Sequence, residues 1–195
     1  MMEMGKFKIV VATTNAGKLS EIRAVLSDYD VISAADAGFV DDVEETGTTF
    51  IENALLKARA VCQATGMVAL GDDSGLCVDA LNGEPGIYSA RYSGQGMAEN
   101  RQLLLKKLQG ETNRRAHFIC TMALVFPDGK ELTVEGKTHG IIATEEQGGG
   151  NGFGYDCLFI SDELGKAFSV AAAEEKNAVS HRGKALHILL KQIKN

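Results

Sequence analysis

Short apolar runs alternate with amphipathic segments along the first third of the chain, and no other feature restricts the fold as much. Residues 7–12, 31–34 and 67–70 are typical of short buried strands. After the first run, apolar residues recur at helical spacing at Leu19, Ile22, Val25 and Leu26. After the second, Thr49 and Glu52 predict a capping box that opens another amphipathic helix. Strands that alternate with helices predict an α/β fold.

The second half of the chain predicts strands that pair in antiparallel fashion. Residues 116–126 and 131–139 flank a Pro-Asp-Gly turn, which is the pattern of a β-hairpin. Residues 97–108 predict a helix, and a last helix buries Leu186, Leu189, Leu190 and Ile193. No stretch has the composition of a linker. We therefore expect a single domain over residues 1–195, with a long mixed β-sheet flanked by helices.

Composition and charge argue against several classes of protein. The chain has 195 residues, 45% of them hydrophobic, which is enough for one domain with a sizeable core. Its net charge is −6 and its basic residues are scattered, so a nucleic-acid polymer is not an expected partner. Neither a signal peptide nor a membrane-spanning run is visible, so we expect a cytoplasmic protein without membrane partners. No C-x-x-C pair occurs, and small buried thiols are expected at Cys62, Cys77, Cys120 and Cys157.

A small polar turn between the first strand and the first helix is a candidate anion site. It comprises Thr13, Thr14, Asn15, Ala16, Gly17 and Lys18. A strand–turn–helix junction points backbone N–H groups and the positive end of a helix dipole at a ligand. Lys18 adds a mobile cation. The segment is not a Walker A loop, because Ala12 and Leu19 stand where that motif requires a glycine and a hydroxyl.

Adjacent carboxylates at Asp72 and Asp73 follow the apolar run 67–70. If the strand ends at Gly71, both acids lie at its carboxyl end, where α/β sheets bind ligands. Neighbouring like charges repel unless a cation neutralises them, and Mg²⁺ prefers carboxylate and phosphate oxygens. The acidic loop 41–47 is a second source of carboxylate. The alternative is an ordinary Asp-Asp-Ser-Gly turn beside a solvated acidic loop.

Glycines crowd residues 148–154 and are interleaved with two aromatic residues, Phe153 and Tyr155. Such a loop lets backbone approach a ligand closely, and an aromatic ring could cover a nucleobase. The alternative, which we prefer for one of the two rings, is that it joins the core. The spacing does not match G-x-G-x-x-G, so a Rossmann site is unsupported.

Four basic residues crowd the approach to the last helix, at Lys176, His181, Arg182 and Lys184. Cations stabilise the carboxyl end of a helix rather than its start. Their position is explained if an anion binds among them, although a solvated basic turn is the alternative.

Together these features supply the parts of a nucleotide site. Cations and N–H groups would hold phosphates, carboxylates would hold Mg²⁺, and an aromatic residue would cover the base. No Ser-His-Asp order is visible, and Cys77 has no evident base partner, so covalent catalysis is disfavoured. Attack by water on phosphorus, assisted by a carboxylate, is the simpler chemistry.

Segments spread over the whole chain resemble the inosine triphosphate pyrophosphatase family, the house-cleaning nucleoside triphosphate pyrophosphatases. They are TTNAGKLSEI, EETGTTFIENALLKA, GDDSGLCVDALNGEPGIYSARYSG, FGYD and EEKNAVSHRGKAL. The resemblance implies Mg²⁺-dependent hydrolysis of ITP, dITP and XTP between the α and β phosphates, giving a nucleoside monophosphate and pyrophosphate. It also implies a two-lobed α/β fold with the site in the cleft between lobes, and a homodimer. The family's Glu-Leu pair before EEK is replaced here within residues 168–173.

The resemblance also implies roles for individual residues. Thr13 to Lys18 would cradle the phosphates, with Lys57 nearby and Ser74 contacting substrate. Glu45 and Asp73 would bind Mg²⁺, and Asp73, supported by Asp72, would be the general base. The base would be held by Phe153, which stacks on it, and by Gly154, Tyr155 and Asp156. The purine 6-oxo edge would be read by Lys176, His181 and Arg182.

Donor side chains at the 6-oxo edge have a physical reason. Adenine carries an amino donor where hypoxanthine and xanthine carry an acceptor, and an unpaired donor is strongly rejected. Two rival functions remain open from the sequence. One is the same chemistry on modified pyrimidine nucleotides, as in the septum-formation-inhibitor family, which the SHRG and FGYD segments disfavour. The other is a nucleotide-binding module without turnover, which the retained carboxylates disfavour.

Overall fold

Six strands form one sheet in the computed structural model, which describes residues 7–148 and 154–194. Their bounds are β1 Lys8–Val11, β2 Asp30–Ser33, β3 Val68–Val78, β4 Arg115–Val125, β5 Glu131–Ile142 and β6 Phe159–Ser161. The order across the sheet is β2-β1-β3-β4-β5-β6. Strand β1 pairs in parallel with β2 and β3, whereas β5 and β6 are antiparallel. The predicted mixed sheet is therefore confirmed.

The described residues include five α-helices, and local sequence signals account for both ends of the second. Their bounds are α1 Ala16–Val25, α2 Phe50–Thr65, α3 Met97–Lys107, α4 Ala173–Val179 and α5 His181–Lys194. Helix α2 opens with the predicted capping box, in which Thr49 and Glu52 satisfy each other's backbone N–H groups. It ends at Gly66, whose φ of 65° is left-handed and suits glycine. Short 3₁₀ turns at Asp79–Leu81, Gly86–Arg91 and Phe168–Val170 complete the helical segments described.

The chain divides into two compact units. Unit 1 comprises Met1–Asp73, Cys120–Gly136 and Gly183–Asn195, and unit 2 comprises Ser74–Ile119 and Lys137–Arg182. Among the described residues, unit 1 contains two buried apolar clusters and unit 2 contains one. That residues 1–195 form one domain stays a prediction.

Strand β1 separates two apolar clusters in unit 1. Ile9 and Val11 pack with residues of α1 and α5, among them Ile22, Leu26, Leu186, Leu189 and Ile193. Val10 packs instead with residues of α2, namely Ala54, Ala58, Val61 and Cys62. Successive strand residues point to opposite faces, so one short apolar run supplies both clusters. Three of the four residues predicted to be buried on the last helix are buried, and Leu190 is partly buried against the same cluster.

Aromatic rings dominate the cluster of unit 2. Phe118 lies 4.7 Å from Phe159 and 6.2 Å from Phe168, measured between ring centroids. Leu76, Leu104 and other apolar side chains pack around them. Cys62, Cys120 and Cys157 are buried and not in disulfides, as predicted, whereas Cys77 is only partly buried.

The prediction that the strand ends at Gly71 is wrong. Strand β3 continues to Val78, so Asp72 and Asp73 lie inside it, with relative exposures of 1% and 7%. Gly71 allows this strand to pass close to α2. A methyl group added at Gly71 would overlap the Ala54 carbonyl oxygen and lie 2.9 Å from the Ala58 nitrogen. Glycine here is therefore a close-approach residue and not a strand terminator.

Candidate active site

The predicted anion turn forms the start of α1. Asn15 is the N-cap, and its Oδ1 accepts a hydrogen bond from the Lys18 backbone at 3.1 Å. The Thr13 hydroxyl accepts from the Asn15 N–H at 3.2 Å, which fixes the turn before the helix. Thr14, Ala16 and Gly17 are exposed. The first turn of α1 therefore presents accessible backbone at the positive end of a ten-residue helix.

Lys18 forms an ion pair with Asp72 across 54 positions of sequence. The distance from Nζ to Oδ2 is 2.8 Å, and the side-chain exposures are 21% for Lys18 and 1% for Asp72. A buried carboxylate is costly unless a cation and hydrogen bonds compensate it. The pair therefore explains how Asp72 is tolerated inside a strand, and it connects the anion turn to the carboxylate segment.

Lys57 of α2 lies among carboxylates. Its Nζ donates to Glu45 Oε1 at 2.7 Å, and their side chains are 15% and 25% exposed. Burial by itself would lower the pKa of Lys57, but the charges of Asp72, Asp73 and Glu45 outweigh it and raise that pKa. Lys57 is therefore a firmly protonated cation. Glu45, from the predicted acidic loop, is thereby placed beside the helix that contacts Asp73.

Asp73 is held on the α2 side of the strand by Asn53. Asn53 Nδ2 donates to Asp73 Oδ2 at 3.1 Å, and Asn53 is fully buried. Burial raises the pKa of Asp73 above the usual range of a carboxyl, and Glu45 adds to this, while Lys57, Asn53 and Lys18 oppose it. A carboxylate with a raised pKa is a stronger base than an exposed one.

The carboxylates of this region fit Mg²⁺ if a phosphorylated substrate completes its coordination. Among residues 7–148 and 154–194, no group of three or more Asp, Glu, His or Cys side chains could hold a metal ion by itself. Mg²⁺ usually takes one or two carboxylates and completes its coordination with water and substrate phosphates. Glu45 and Asp73 are hard oxygen donors next to a common lysine. These residues therefore suit Mg²⁺ shared with a phosphorylated substrate.

In unit 2 the predicted base-binding residues contact one another. Lys176 Nζ donates to Asp156 Oδ2, and Asp156 is buried. The same ammonium lies 5.6 Å from the centroid of the Phe168 ring. Phe168 begins the segment in which the Glu-Leu pair of the resembled family is absent. The Phe168 ring therefore lies next to the Lys176 ammonium, and the hydrogen bond to Asp156 fixes the position of that ammonium.

Tyr155 is a core residue. It is 5% exposed, and its hydroxyl donates to the Ser89 carbonyl at 2.9 Å. The expectation that one of the two loop aromatics joins the core is confirmed for Tyr155, whose part in base binding stays a prediction. Gly154, with φ of 62°, accepts a hydrogen bond from Arg101 at 3.3 Å. Phe153 lies outside the described residues.

His181 and Arg182 occupy the first turn of α5 and not a loop before it. The His181 ring stacks on Phe118 with centroids 4.9 Å apart and an interplanar angle of 15°. His181 is buried and Arg182 is partly buried. Stacking on Phe118 thus fixes the plane of the His181 imidazole.

Ser74 follows Asp73 directly in β3 and is partly buried.

Two buried asparagines were not predicted. Asn53 bonds to Asp73, as described above. Asn100 of α3 donates to the Ser89 and Ala90 carbonyls and accepts from Ser93, which organises the loop after β3. The sequence carried one usable signal for Asn53, because it interrupts the apolar stripe of α2 beside Ala54. A buried amide is retained where its hydrogen bonds are made.

Comparisons with known proteins identify the family of the chain. The sequence profile of the Ham1 family matches residues 9–192. A dITP/XTP pyrophosphatase of Streptomyces avermitilis is 48% identical over 191 residues, covering 94% of this chain and 95% of its own. One of Nitratidesulfovibrio vulgaris is 50% identical over 199 residues, covering 96% of each. The Ham1 protein of Staphylococcus aureus superposes with a TM-score of 0.88 at 41% identity, covering 95% of this chain and 97% of its own. The resemblance noted from the sequence is confirmed.

In the part of the chain described, no helix has the length and apolar character needed to cross a membrane.

Proposed function

The chain belongs to the Ham1 family, and on that premise we propose that it is a nucleoside triphosphate pyrophosphatase for deaminated purine nucleotides. It hydrolyses dITP, ITP and XTP between the α and β phosphates, and it releases the nucleoside monophosphate and pyrophosphate. Relatives named dITP/XTP pyrophosphatase align over almost their whole length. These names favour purines over the modified pyrimidines considered above.

One observation of unit 1 carries the proposal. Lys18, from the start of α1, pairs with Asp72, while Lys57, from α2, pairs with Glu45 and attracts Asp73. Cations, carboxylates and an accessible helix start are thus combined in one unit. A nucleotide-binding module needs the cations to hold phosphates, but it has no need of a buried carboxylate with a raised pKa.

In this reaction the amino-terminal turn holds the phosphates. Backbone N–H groups at the start of α1, such as those of Ala16 and Gly17, and the ammonium groups of Lys18 and Lys57 stabilise the negative charge. Ser74 contributes a hydroxyl. Asp73 accepts a proton from the attacking water, and burial, which raises the pKa of Asp73, makes it a stronger base than an exposed carboxylate. Asp72 keeps Lys18 in place until phosphate competes for it.

Mg²⁺ is the proposed cofactor, held by Glu45 and Asp73 together with substrate. When bound, it neutralises charge on the phosphates and orients them. The two carboxylates are hard donors of the kind that Mg²⁺ prefers. Lys57 already offsets part of their negative charge in the protein itself.

Unit 2 supplies recognition of the base. Lys176, His181 and Arg182 are donors suited to the 6-oxo group of hypoxanthine and xanthine, and adenine presents a donor there. The Asp156 contact and the Phe168 ring support Lys176, and the Phe118 ring supports His181. Phe153 is the proposed stacking partner of the base. From the resemblance we also propose a homodimer, which light scattering of the purified chain tests by its mass. We further propose a cytoplasmic location.

The test is pyrophosphate release from ITP, dITP, XTP, GTP, ATP and dTTP, each with and without Mg²⁺. We expect release from the first three far above GTP and ATP, and none without metal. Orthophosphate in place of pyrophosphate would show that a different bond breaks. A preference for dTTP would move the chain to pyrimidine nucleotides, and binding without turnover would identify a nucleotide-binding module.

Asp73→Asn separates catalysis from folding. Burial disfavours the charged form of Asp73, so a neutral amide of the same shape should leave the free energy of unfolding unchanged or slightly higher. Turnover should fall by about a thousandfold or more because the proton acceptor is lost. Thermal unfolding and pyrophosphate release, measured on the same preparation, provide the check. Unchanged turnover in a folded variant would show that Asp73 is not the base.

A further inference from the structure

Asn53 makes two hydrogen bonds that connect two separate parts of unit 1. Its Nδ2 donates to Asp73 Oδ2 at 3.1 Å, and its Oδ1 accepts from the Gly47 backbone N–H at 2.9 Å. Gly47 lies two residues after Glu45. One buried amide therefore contacts the proposed base in β3 and the loop that carries the other proposed metal ligand.

Two glycines, Gly47 and Gly71, let the loop and the strand pack closely against α2 near Asn53. A methyl group at Gly47 would lie 2.6 Å from Asn53 Oδ1 and 2.7 Å from Glu52 Cβ, so a larger residue would push the loop away. A methyl group at Gly71 would overlap the backbone of α2 at Ala54. Two glycines thus permit the loop and the strand to approach the same helix end, where Asn53 lies between them.

We propose that Asn53 is a positioning residue for the hydrolytic reaction, holding the Asp73 carboxylate and the Glu45 loop in a fixed relation. This inference rests on the proposed function, because it takes Asp73 as base and both carboxylates as metal donors. The amide is suited to the task since it offers one donor and one acceptor on a short, fully buried side chain. Groups that orient metal-binding carboxylates typically contribute about 10- to 100-fold to activity or metal affinity.

Packing alone does not explain an asparagine at this position. The other buried residues of α2 are all apolar, namely Ala54, Ala58, Val61 and Cys62. The start of the helix is already stabilised by the capping box of Thr49 and Glu52, which does not use Asn53. The hydrogen bonds to Asp73 and Gly47 therefore distinguish asparagine from an apolar side chain here.

Two substitutions and one matched control test the proposal. Asn53→Asp keeps the shape and an acceptor for the Gly47 N–H but replaces the donor that faces Asp73. The new carboxyl either repels Asp73 or shares a proton with it, and both outcomes impair a base. Asn53→Leu removes both hydrogen bonds. Thr49→Ala is the control, because it weakens the same helix start without touching Asp73.

The readouts are kcat and KM for dITP at saturating Mg²⁺, the Mg²⁺ concentration that gives half-maximal rate, and the melting temperature. For both Asn53 variants we expect kcat to fall about 10- to 100-fold with KM within about twofold, and Asn53→Leu should also need more Mg²⁺. Thr49→Ala should lower the melting temperature and leave kcat within about twofold. The proposal is overturned if Asn53→Asp keeps full kcat, or if activity in all three variants simply follows the melting temperature.

A readout independent of turnover separates this proposal from the proposed function. In the parent chain, the Asn53 side-chain amide protons should exchange slowly with solvent in NMR spectra, and Asp73→Ala should abolish that protection. A parent chain inactive on dITP and XTP would refute the proposed function and, with it, a catalytic purpose for Asn53. An active parent without protected amide protons would refute only the role of Asn53.

Discussion

Gly71→Ala is the substitution that tests most directly how α2 and β3 are brought together. The added methyl group would overlap the Ala54 carbonyl oxygen and lie 2.9 Å from the Ala58 nitrogen. Both atoms belong to helix backbone, so no side-chain rotation relieves the contact. Either the helix or the strand must move by roughly 1 Å to restore ordinary van der Waals separations of about 3.5 Å.

The stability cost follows from that forced movement. Overpacking a core by one methyl group typically costs about 1–3 kcal/mol, and a contact against rigid backbone belongs at the upper end. For a chain of this length, 1 kcal/mol corresponds to roughly 2–4 °C in melting temperature. We therefore expect Gly71→Ala to melt about 6–12 °C below the parent chain.

Activity should fall as well. The Asn53–Asp73 hydrogen bond is 3.1 Å long, so a displacement of about 1 Å takes it beyond hydrogen-bond distance. A shift of that size in a catalytic group can cost about 100-fold in rate. Pyrophosphate release from dITP, assayed well below the melting temperature of the variant, measures this loss apart from unfolding.

Gly66→Ala is the matched control because it ends the same helix. Gly66 has a left-handed φ of 65°, and a methyl group there would meet no atom of the described residues within 4 Å. The cost should be about 1–2 kcal/mol of backbone strain, with kcat unchanged. If Gly71→Ala were as mild as Gly66→Ala in both assays, close approach would not be the reason for glycine at position 71.

Two further predictions concern unit 2. Arg114→Ala should lower the free energy of unfolding by about 2–4 kcal/mol, because the guanidinium donates to the backbone carbonyls of Leu108, Ile142 and Ala143. Urea unfolding measures this change in free energy. A loss below about 0.5 kcal/mol would contradict the prediction. Burial raises the pKa of Tyr155 above its usual value, so the stability this residue contributes is complete below about pH 10 and is lost as the pH rises further. Tyr155→Phe should therefore unfold at a lower urea concentration at neutral pH, yet lose stability less steeply than the parent between about pH 9.5 and 11.5. Equal slopes would show that Tyr155 ionises freely in the folded chain.

Features set by neighbouring residues were predictable from the sequence. The capping box of α2 needs only Thr49 and Glu52, three positions apart, and it is present as expected. The anion turn needs only a cap residue and the first turn of a helix, and Asn15 provides the cap. Hydrophobic periodicity placed β1, β2, β4, β5, α2 and α3 to within a few residues for the same reason, since each side chain's face follows from its spacing. The true end of β3, strand β6 and helix α4 were not predicted.

Features set by distant residues were not predictable in the same way. The partner of Asp72 lies 54 positions away, and the partner of Asp73 lies 20 positions away. Gly71 was interpreted as a strand terminator because a glycine after an apolar run usually is one. Its actual role depends on close contact with the backbone of α2, which no local sequence pattern predicts.

The two adjacent aspartates lie on opposite faces of β3. Along β3, Leu70 packs in the cluster of α1 and α5, whereas Ala69 packs in the cluster of α2. Because side chains alternate, Asp72 belongs to the first face and Asp73 to the second. Their contacts agree, since Asp72 pairs with Lys18 of α1 and Asp73 with Asn53 of α2. Two carboxylates can therefore be buried side by side in sequence because they occupy opposite faces, where Lys18 pairs with Asp72 and Asn53 donates to Asp73, while the charge of Lys57 acts on both. It follows that the two acids are not interchangeable: under the proposed function, the α2 face, with Asn53, Lys57 and the Glu45 contact, would hold metal and water, whereas Asp72 would act through its ion pair with Lys18 and through its charge on Lys57.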